Sequence, residues 1–324
     1  MSIESSPTNL PTGYRLRAPG PIDVRAILDL IAAYDIAQTG EPDAWSEDDI
    51  LSDWTGTNPE RDAWLIEADE GAVVAYGHVR DFGYGRIESD GYVHPAHAGK
   101  GLGSLLVDLA ERRADEIARQ APEGLRMLMH SGTYKHDTDA NALFTARGFT
   151  TVRHFWRMTI EMDEPPPAPR WPEGISCVPC VRNQHERVMF DTLEEAFADH
   201  WGHTPREYEE WRTTNVLMSS YDPDLWFLAM HGETPAGAIR GRVMEDGSGW
   251  VNTLGVLRPW RAHGLGMALL RQLLGVFYQR GIRTVSLGVD ASNPTGATRL
   301  YERAGMYVSR EFIIYEREIR AGIA

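Results

Sequence analysis

Chemistry-bearing residues concentrate where Arg261-x-x-Gly264-x-Gly266 joins two patterned segments. An apolar β-type run over 250–256 enters this corner. A helical pattern leaves it, with Leu265, Leu269, Leu270, Leu273, Leu274 and Phe277 on one face. At such a strand–loop–helix corner the first helical N–H groups have no intrahelical acceptor, and the helix dipole favours an anion. Glycines let a phosphate approach the main chain, and Arg261 adds a fixed positive charge. The chemistry implied is pyrophosphate binding. The spacing is neither G-x-x-x-x-G-K-[ST] nor G-x-G-x-x-G, which excludes the common mononucleotide and dinucleotide loops.

A second cluster lies downstream: Asn293-x-x-x-Ala297-x-x-Leu300-Tyr301-x-x-x-Gly305-Met306, separated from the corner by a strand-like run over 284–289. The two motifs, in this order, resemble the acetyl-CoA signature and second hallmark of the GNAT acetyltransferase superfamily. The resemblance implies that the backbone of Leu254, Gly255 and Val256 holds the pantetheine arm and thioester carbonyl at a splay between strands. It implies that Arg261, Ala262, His263, Gly264, Leu265, Gly266 and Met267 hold the pyrophosphate, and that Asn293 hydrogen-bonds the pantetheine or its sulfur region. In a GNAT-like reaction an amine attacks the thioester and the departing sulfur needs a proton, which makes Tyr301 the general acid.

The general base is not assigned by the same route. Family members often carry a glutamate on the strand before the loop, where this chain has Trp250, Asn252 and Thr253. Glu245 and Asp246 lie upstream, and His200 and His203 lie in Asp199-His200-Trp201-Gly202-His203. The stretches 196–203 and 207–211 resemble the corresponding part of actinobacterial tandem GNATs. On this basis His200, Trp201 and His203 are candidate substrate contacts. Without a third ligand nearby, the histidine pair is read as hydrogen-bonding rather than metal-binding, and no metal is expected.

These motifs need scaffolds to hold them, and the order of elements repeats. Strand-like 14–18 and helical 24–34 precede a Glu-, Asp- and Trp-rich excursion over 39–62, a hairpin of 63–68 with 73–79, and the corner 98–103. A strand at 125–129, a polar loop over 130–138, a short helix over 140–149 and a strand over 150–162 close this half. After Pro165, Pro166, Pro167 and Pro169, the series recurs: strand 175–181, helix 186–198, hairpin 225–230 with 236–243, the corner, and a closing strand over 306–316. The expected fold is α/β (α+β), two tandem GNAT-like domains, each a mixed, mostly antiparallel sheet flanked by helices. Their expected bounds are 1–163 and 173–324, with a linker over 164–172.

The halves differ chemically. Ala98 stands where the second half has Arg261, with Lys100 as partial replacement, and Phe144 stands where it has Tyr301. A phenyl ring has no proton to give, so the first half is expected to be degenerate. Tyr92, Val93, Gly99, Lys100, Gly101, Leu102, Gly103 and Ser104 could still bind acetyl-CoA there without turning it over.

The formal net charge of −15 over 324 residues disfavours a nucleic-acid partner. No apolar run is long enough to span a membrane, and the polar stretch 1–13 lacks a signal pattern, so a cytoplasmic location is expected. The two cysteines, Cys177 and Cys180, fall in a β-like segment where an i, i+3 pair points to opposite faces, against redox or zinc chemistry. The function implied is acetyl-CoA-dependent transfer to a small-molecule primary amine in a ternary complex, catalysed by the C-terminal half. The competing readings are an acyl-CoA-binding sensory module and a protein-amine acetyltransferase. Oligomeric state is not legible.

Overall fold

The computed structural model describes residues 10–293 and 296–323; most of the polar N-terminal stretch lies outside them. The first series of elements is β1 (Tyr14–Arg17), α1 (Val24–Thr39), α2 (Glu47–Asp53), α3 (Pro59–Asp62), β2 (Ala63–Ala68), β3 (Val73–Asp81), β4 (Arg86–Val93), α4 (Leu102–Gln120), β5 (Met127–Tyr134), α5 (Thr138–Ala146) and β6 (Thr150–Glu161). The second is β7 (Ile175–Pro179), α6 (Glu186–Phe197), α7 (Tyr208–Asn215), β8 (Trp226–His231), β9 (Thr234–Val243), β10 (Gly249–Val256), α8 (Leu265–Gln279), β11 (Thr284–Asp290), α9 (Ala297–Arg303) and β12 (Tyr307–Arg320). Among the described residues no helix is long and apolar enough to cross a membrane.

The chain forms two compact units. Residues 10–154 and 311–323 make the first, and Phe155–Arg310 the second. The boundaries of the two units fall at 154/155 and at 310/311. β6 leaves the first unit after His154, and its residues 155–161 pair antiparallel with β11, from Phe155↔Asp290 to Glu161↔Thr284. β12 in turn pairs with β5 of the first unit, from Phe312↔Tyr134 to Arg320↔Met127. Each half thus ends in a strand that pairs within the other unit, a non-local arrangement that local periodicity does not encode.

In the first unit the strand order is β1-β2-β3-β4-β5-β12, antiparallel except for β4 with β5. Alternation along the strands separates two cores. Trp64, Ile66 and Ala75 pack with Leu102, Leu105, Leu106 and Ala110 of α4, while Ala63, Leu65 and Tyr76 pack with Ile27, Leu30 and Ile31 of α1 and Ile50 of α2. The second unit follows the order β6-β11-β10-β9-β8-β7, with β10 parallel to β11. Its core joins Leu269, Leu273 and Phe277 of α8 to Met189, Phe190 and Leu193 of α6 and Trp211 of α7.

One expectation is corrected. The polar stretch from His130 onward is not a loop; β5 continues to Tyr134 and is largely buried. Its polar groups find partners: His130 Nε2 is 2.9 Å from Glu316 Oε2, and Tyr134 Oη donates to Asp35 Oδ1 at 2.9 Å. Cys177 and Cys180 are both free, and burial pushes each thiol up to about 11, so neither is a thiolate near neutrality.

Candidate active site

The parallel ladder between β10 and β11 joins Gly249↔Val285, Trp250↔Ser286 and Val251↔Leu287, and then stops. On its other edge β10 stays paired with β9 to Val256↔Gly237, with a bulge between Val251 and Thr253. Residues 252–256 therefore turn one edge away from β11, leaving main-chain N–H and C=O groups available to an extended ligand. Leu254, Gly255 and Val256 lie on this splayed edge.

The chain then turns through a 3₁₀ segment, Arg258–Trp260, into α8. Gly264 caps the helix at φ +83 with open space around the position its Cβ would take, and it offers no side-chain cap. The main-chain N–H groups of Leu265, Gly266 and Met267 thus begin the helix with no intrahelical acceptor. Gly266 has a different reason to be glycine: a Cβ there would sit 2.9 Å from Leu300 Cδ1 and 3.7 Å from Leu254 Cδ2 and Val256 Cγ2. It lets the start of α8 close against α9 and the splayed strand. Ala262 adopts φ +65, a left-handed conformation that an L-residue holds at a cost of ~1–2 kcal/mol.

Arg261 does not turn its guanidinium outward. Nε donates to Val256 O at 3.0 Å and Nη2 to Ala196 O at 3.1 Å, so the side chain ties the corner to the end of β10 and to the C-terminal turn of α6. Its charge lies beside the negative end of that helix. The corner's offer to an anion comes from its main chain. His263, exposed, turns Nδ1 to Arg261 O at 2.7 Å.

Tyr301 sits on α9, one residue after the leucine that packs on Gly266, and only 8% of it is exposed. No hydrogen bond engages its hydroxyl among the described residues. Burial pushes it up to about 12, so it holds its proton through the neutral range. Asn293 N donates to Asp290 O at 3.0 Å, in the turn between β11 and α9. In the first unit Phe144 instead stacks on Tyr315, with centroids 5.1 Å apart.

On the opposite face of β10, α6 packs so closely that a Cβ at Gly255 would lie 2.8 Å from Ala196 Cβ. The hydroxyl of Thr253 accepts from Arg240 Nε at 3.1 Å, and Arg240 also donates to Asn215 Oδ1. Burial, with Arg206 and Arg242 near, pushes the Arg240 guanidinium below its ordinary value, yet such a group stays cationic near neutrality. This arginine, which motif reading does not single out, occupies the neighbourhood of the strand position where a glutamate base would stand. His203 lies 3.4 Å from Glu194, His200 Nδ1 is 3.0 Å from Trp201 O, and the Trp201 ring lies 6.3 Å from that of Phe155. Among the described residues no three His, Cys, Asp or Glu side chains converge as metal ligands.

The first unit repeats the frame, with Phe144 at the place of Tyr301. Its β4–β5 ladder stops at Ser89↔Ser131 while β4 continues with β3 to Val93↔Ala75, and Gly101 at φ +83 opens α4. Tyr92 and Val93 end the splayed strand. Gly99, Lys100, Gly101, Leu102, Gly103 and Ser104 form the corner, with Gly99 at φ +73 where the second unit strains Ala262.

A strand that splays from its parallel neighbour, followed by a helix start built to face an anion and a buried tyrosine beside it, defines an acyl-CoA-dependent acyltransferase. The description "Acetyltransferase (GNAT) family" matches the chain twice, over residues 26–149 and 187–306. The chain belongs to that family and is an acyltransferase. It is 30% identical over 309 residues to a mycothiol acetyltransferase of Thermobispora bispora, covering 92% of this chain and 97% of that protein. Among solved structures, a GCN5-related N-acetyltransferase from Sphaerobacter thermophilus is 38% identical with a TM-score of 0.83, covering 97% of this chain and 98% of that one. A tandem GNAT protein from the clavulanic acid biosynthesis pathway shares the fold at 19% identity, with a TM-score of 0.68 over 96% of this chain and all of that one.

Proposed function

We propose that the chain transfers an acetyl group from acetyl-CoA to the primary amine of a small molecule, by direct attack in a ternary complex, with catalysis in the C-terminal half. The carrying observation is the asymmetry of the two corners: a buried Tyr301 whose hydroxyl has no hydrogen bond among the described residues near one, and Phe144 at the other. The C-terminal corner fits the donor, since its main-chain N–H groups at 265–267 suit a pyrophosphate and the edge of 254–256 suits a pantetheine amide. The donor supplies an activated thioester carbonyl.

The residues of the chain do the rest. The splayed edge at Leu254, Gly255 and Val256 orients the carbonyl, and holding two reactants together removes much of the entropic barrier. As the amine nitrogen bonds to carbon and the carbon–sulfur bond breaks, the Tyr301 O–H delivers its proton to the sulfur. The amine must arrive or become neutral; with Thr253 and Arg240 at the strand position, no carboxylate there takes that proton. His200 and His203 on the α6–α7 connection are the titratable groups proposed for this role, with Trp201 as a substrate contact. The relatives named mycothiol acetyltransferases favour a small-molecule acceptor over a protein terminus. The halves 1–163 and 173–324 are read as tandem domains, the first a degenerate copy that retains a corner able to hold acetyl-CoA without turning it over.

Thiol release from acetyl-CoA across a panel of amines, in wild type and in Gly264→Glu, tests this reading. Turnover with intersecting initial-rate lines, lost in the variant, is expected. Parallel lines with a covalent acetyl-enzyme, or turnover that survives the variant, would overturn it.

A further inference from the structure

Arg240 carries a positive charge into the second unit, and among the described residues no acidic group answers it. Alternation along β9 turns Gly237 and Gly241 toward α8, where a Cβ would meet Leu269 Cδ1 and Leu273 Cδ2, so Arg240 and Arg242 face α6 and α7 instead. Register sets Arg240 directly between Trp226 of β8 and Thr253 of β10. Its Cζ lies 5.5 Å from the Trp226 ring centroid and 5.8 Å from that of Trp211 on α7. Nε donates to Thr253 Oγ1 at 3.1 Å and Nη1 to Asn215 Oδ1; the Asn215 amide is itself oriented by a 2.8 Å bond from Nδ2 to Trp211 O.

A guanidinium has five N–H donors. Here neutral oxygens take one on Nε and one on Nη1, and no described residue accepts from Nη2. Nη2 keeps contact with solvent and the side chain as a whole is half-buried, so this edge of the fork is reachable. The charged groups that act on Arg240 are Arg242 and Arg206, both of its own sign, and Arg206 is already paired with Glu194. Charges drawn out of water are normally paired, so an unanswered one marks a place for an anion. Thr253 immediately precedes Leu254, Gly255 and Val256. Arg240 therefore sits one register row from the edge proposed to hold the thioester, on the sheet face away from α8 and its phosphate corner.

We propose that Arg240 holds a carboxylate of the acceptor, so that the amine to be acetylated belongs to an amino acid or another molecule bearing both groups. The inference rests on the transfer proposed for this half and narrows its acceptor from any primary amine to a carboxylated one. The remaining N–H bonds of the guanidinium share one plane, the geometry that meets the two oxygens of a carboxylate. Two hydrogen bonds and two indole rings already fix that plane, so little side-chain freedom is lost when the anion arrives. The donor's pyrophosphate is not the anion in question, since it belongs at the start of α8 on the other face. A phosphomonoester on the acceptor shares the anionic chemistry and forms the second arm of the test.

The test compares wild type, Arg240→Gln and Arg240→Lys as full chains saturated with CoA. Straight-chain amino acids from glycine to 6-aminohexanoate, each beside its primary carboxamide, are titrated by calorimetry, with O-phosphoethanolamine as the phosphate arm. The same panel is run for thiol release from acetyl-CoA. In wild type at least one amino acid should bind about tenfold or more tightly than its carboxamide, the scale of a charged hydrogen-bonded pair. Arg240→Gln should bring that ratio to about one, and Arg240→Lys, which keeps the charge without the planar fork, should leave it in between. Equal binding within every pair in wild type, a ratio that survives Arg240→Gln, or phosphoethanolamine bound more tightly than every amino acid overturns the proposal. If Arg240→Gln does not fold, a wild-type ratio in Arg240→Lys overturns it in the same way. Binding is read without turnover, so thiol release that fails while these ratios hold supports the anchor and refutes the transfer.

Discussion

Replacing Tyr301 with phenylalanine removes one oxygen and little else. The ring is buried in the core of the second unit and would stay there, and the hydroxyl gives up no hydrogen bond to another described residue. The melting temperature should therefore change little, because no hydrogen bond to another described residue is lost. Catalysis is another matter. A positioned acid contributes typically ~10²–10⁴-fold, so the variant should lose at least ~100-fold in kcat, equivalent to ~2.7 kcal/mol of barrier. The KM for acetyl-CoA should barely move, since the corner and the splayed edge are untouched. The assay is thiol release at saturating acetyl-CoA, run from pH 6 to pH 10 or so. Because burial holds Tyr301 at about 12, the wild-type rate should not fall on the alkaline limb through this group. An ordinary tyrosine would lose its proton near ~10. A Tyr301→Phe enzyme that keeps its kcat would refute the acid assignment. A wild-type rate that declines with a midpoint near ~10 would refute the environment deduced for it.

Further outcomes follow from the same geometry. Ala262→Gly, which copies the residue at the equivalent corner position of the first unit, should stabilise the chain by ~1 kcal/mol in chemical denaturation, because it relieves a left-handed alanine. Gly266→Ala should cost ~1–3 kcal/mol, since its methyl would fall 2.9 Å from Leu300 Cδ1, and the displaced helix start should raise the KM for acetyl-CoA more than it lowers kcat. Arg261→Lys keeps the charge but cannot reach two carbonyls with a planar fork; a KM for acetyl-CoA equal to wild type would contradict its bracing role. Asp90 titrates at about 7 in the fold against an ordinary 3.8, so the fold takes up protons there that the unfolded chain does not, and its contribution to stability drains away as pH rises between those values. Asp53 acts in the same sense and His78 in the opposite one, with Arg80, Glu88 and Asp49 the other charged groups nearby. The melting temperature of Asp90→Asn relative to wild type should accordingly rise from pH 5 to pH 8.

Much of this architecture was legible because it is local. The hairpins announced themselves through alternating apolar residues and short turns, and the corners through glycine before a heptad-like leucine pattern. Tyr301 and Phe144 could be set against each other by counting from those corners. β5 was cut short in the reading because His130, Ser131 and Thr133 look like loop residues until the partners that bury them are known. The fate of the Arg261 side chain depends on the C-terminal turn of α6, 65 residues earlier, and no motif spacing carries that. Trp226, Arg240 and Thr253 lie on three strands, and only the folded register gathers them.

The exchange of closing strands bears on how such a protein can change over time. Residues 155–161 finish the sheet of the second unit, although they belong in sequence to the first half. After a duplication one copy would ordinarily be free to decay or be deleted. Here the loss of either half would strip a strand from the other unit, so selection on one activity preserves both halves.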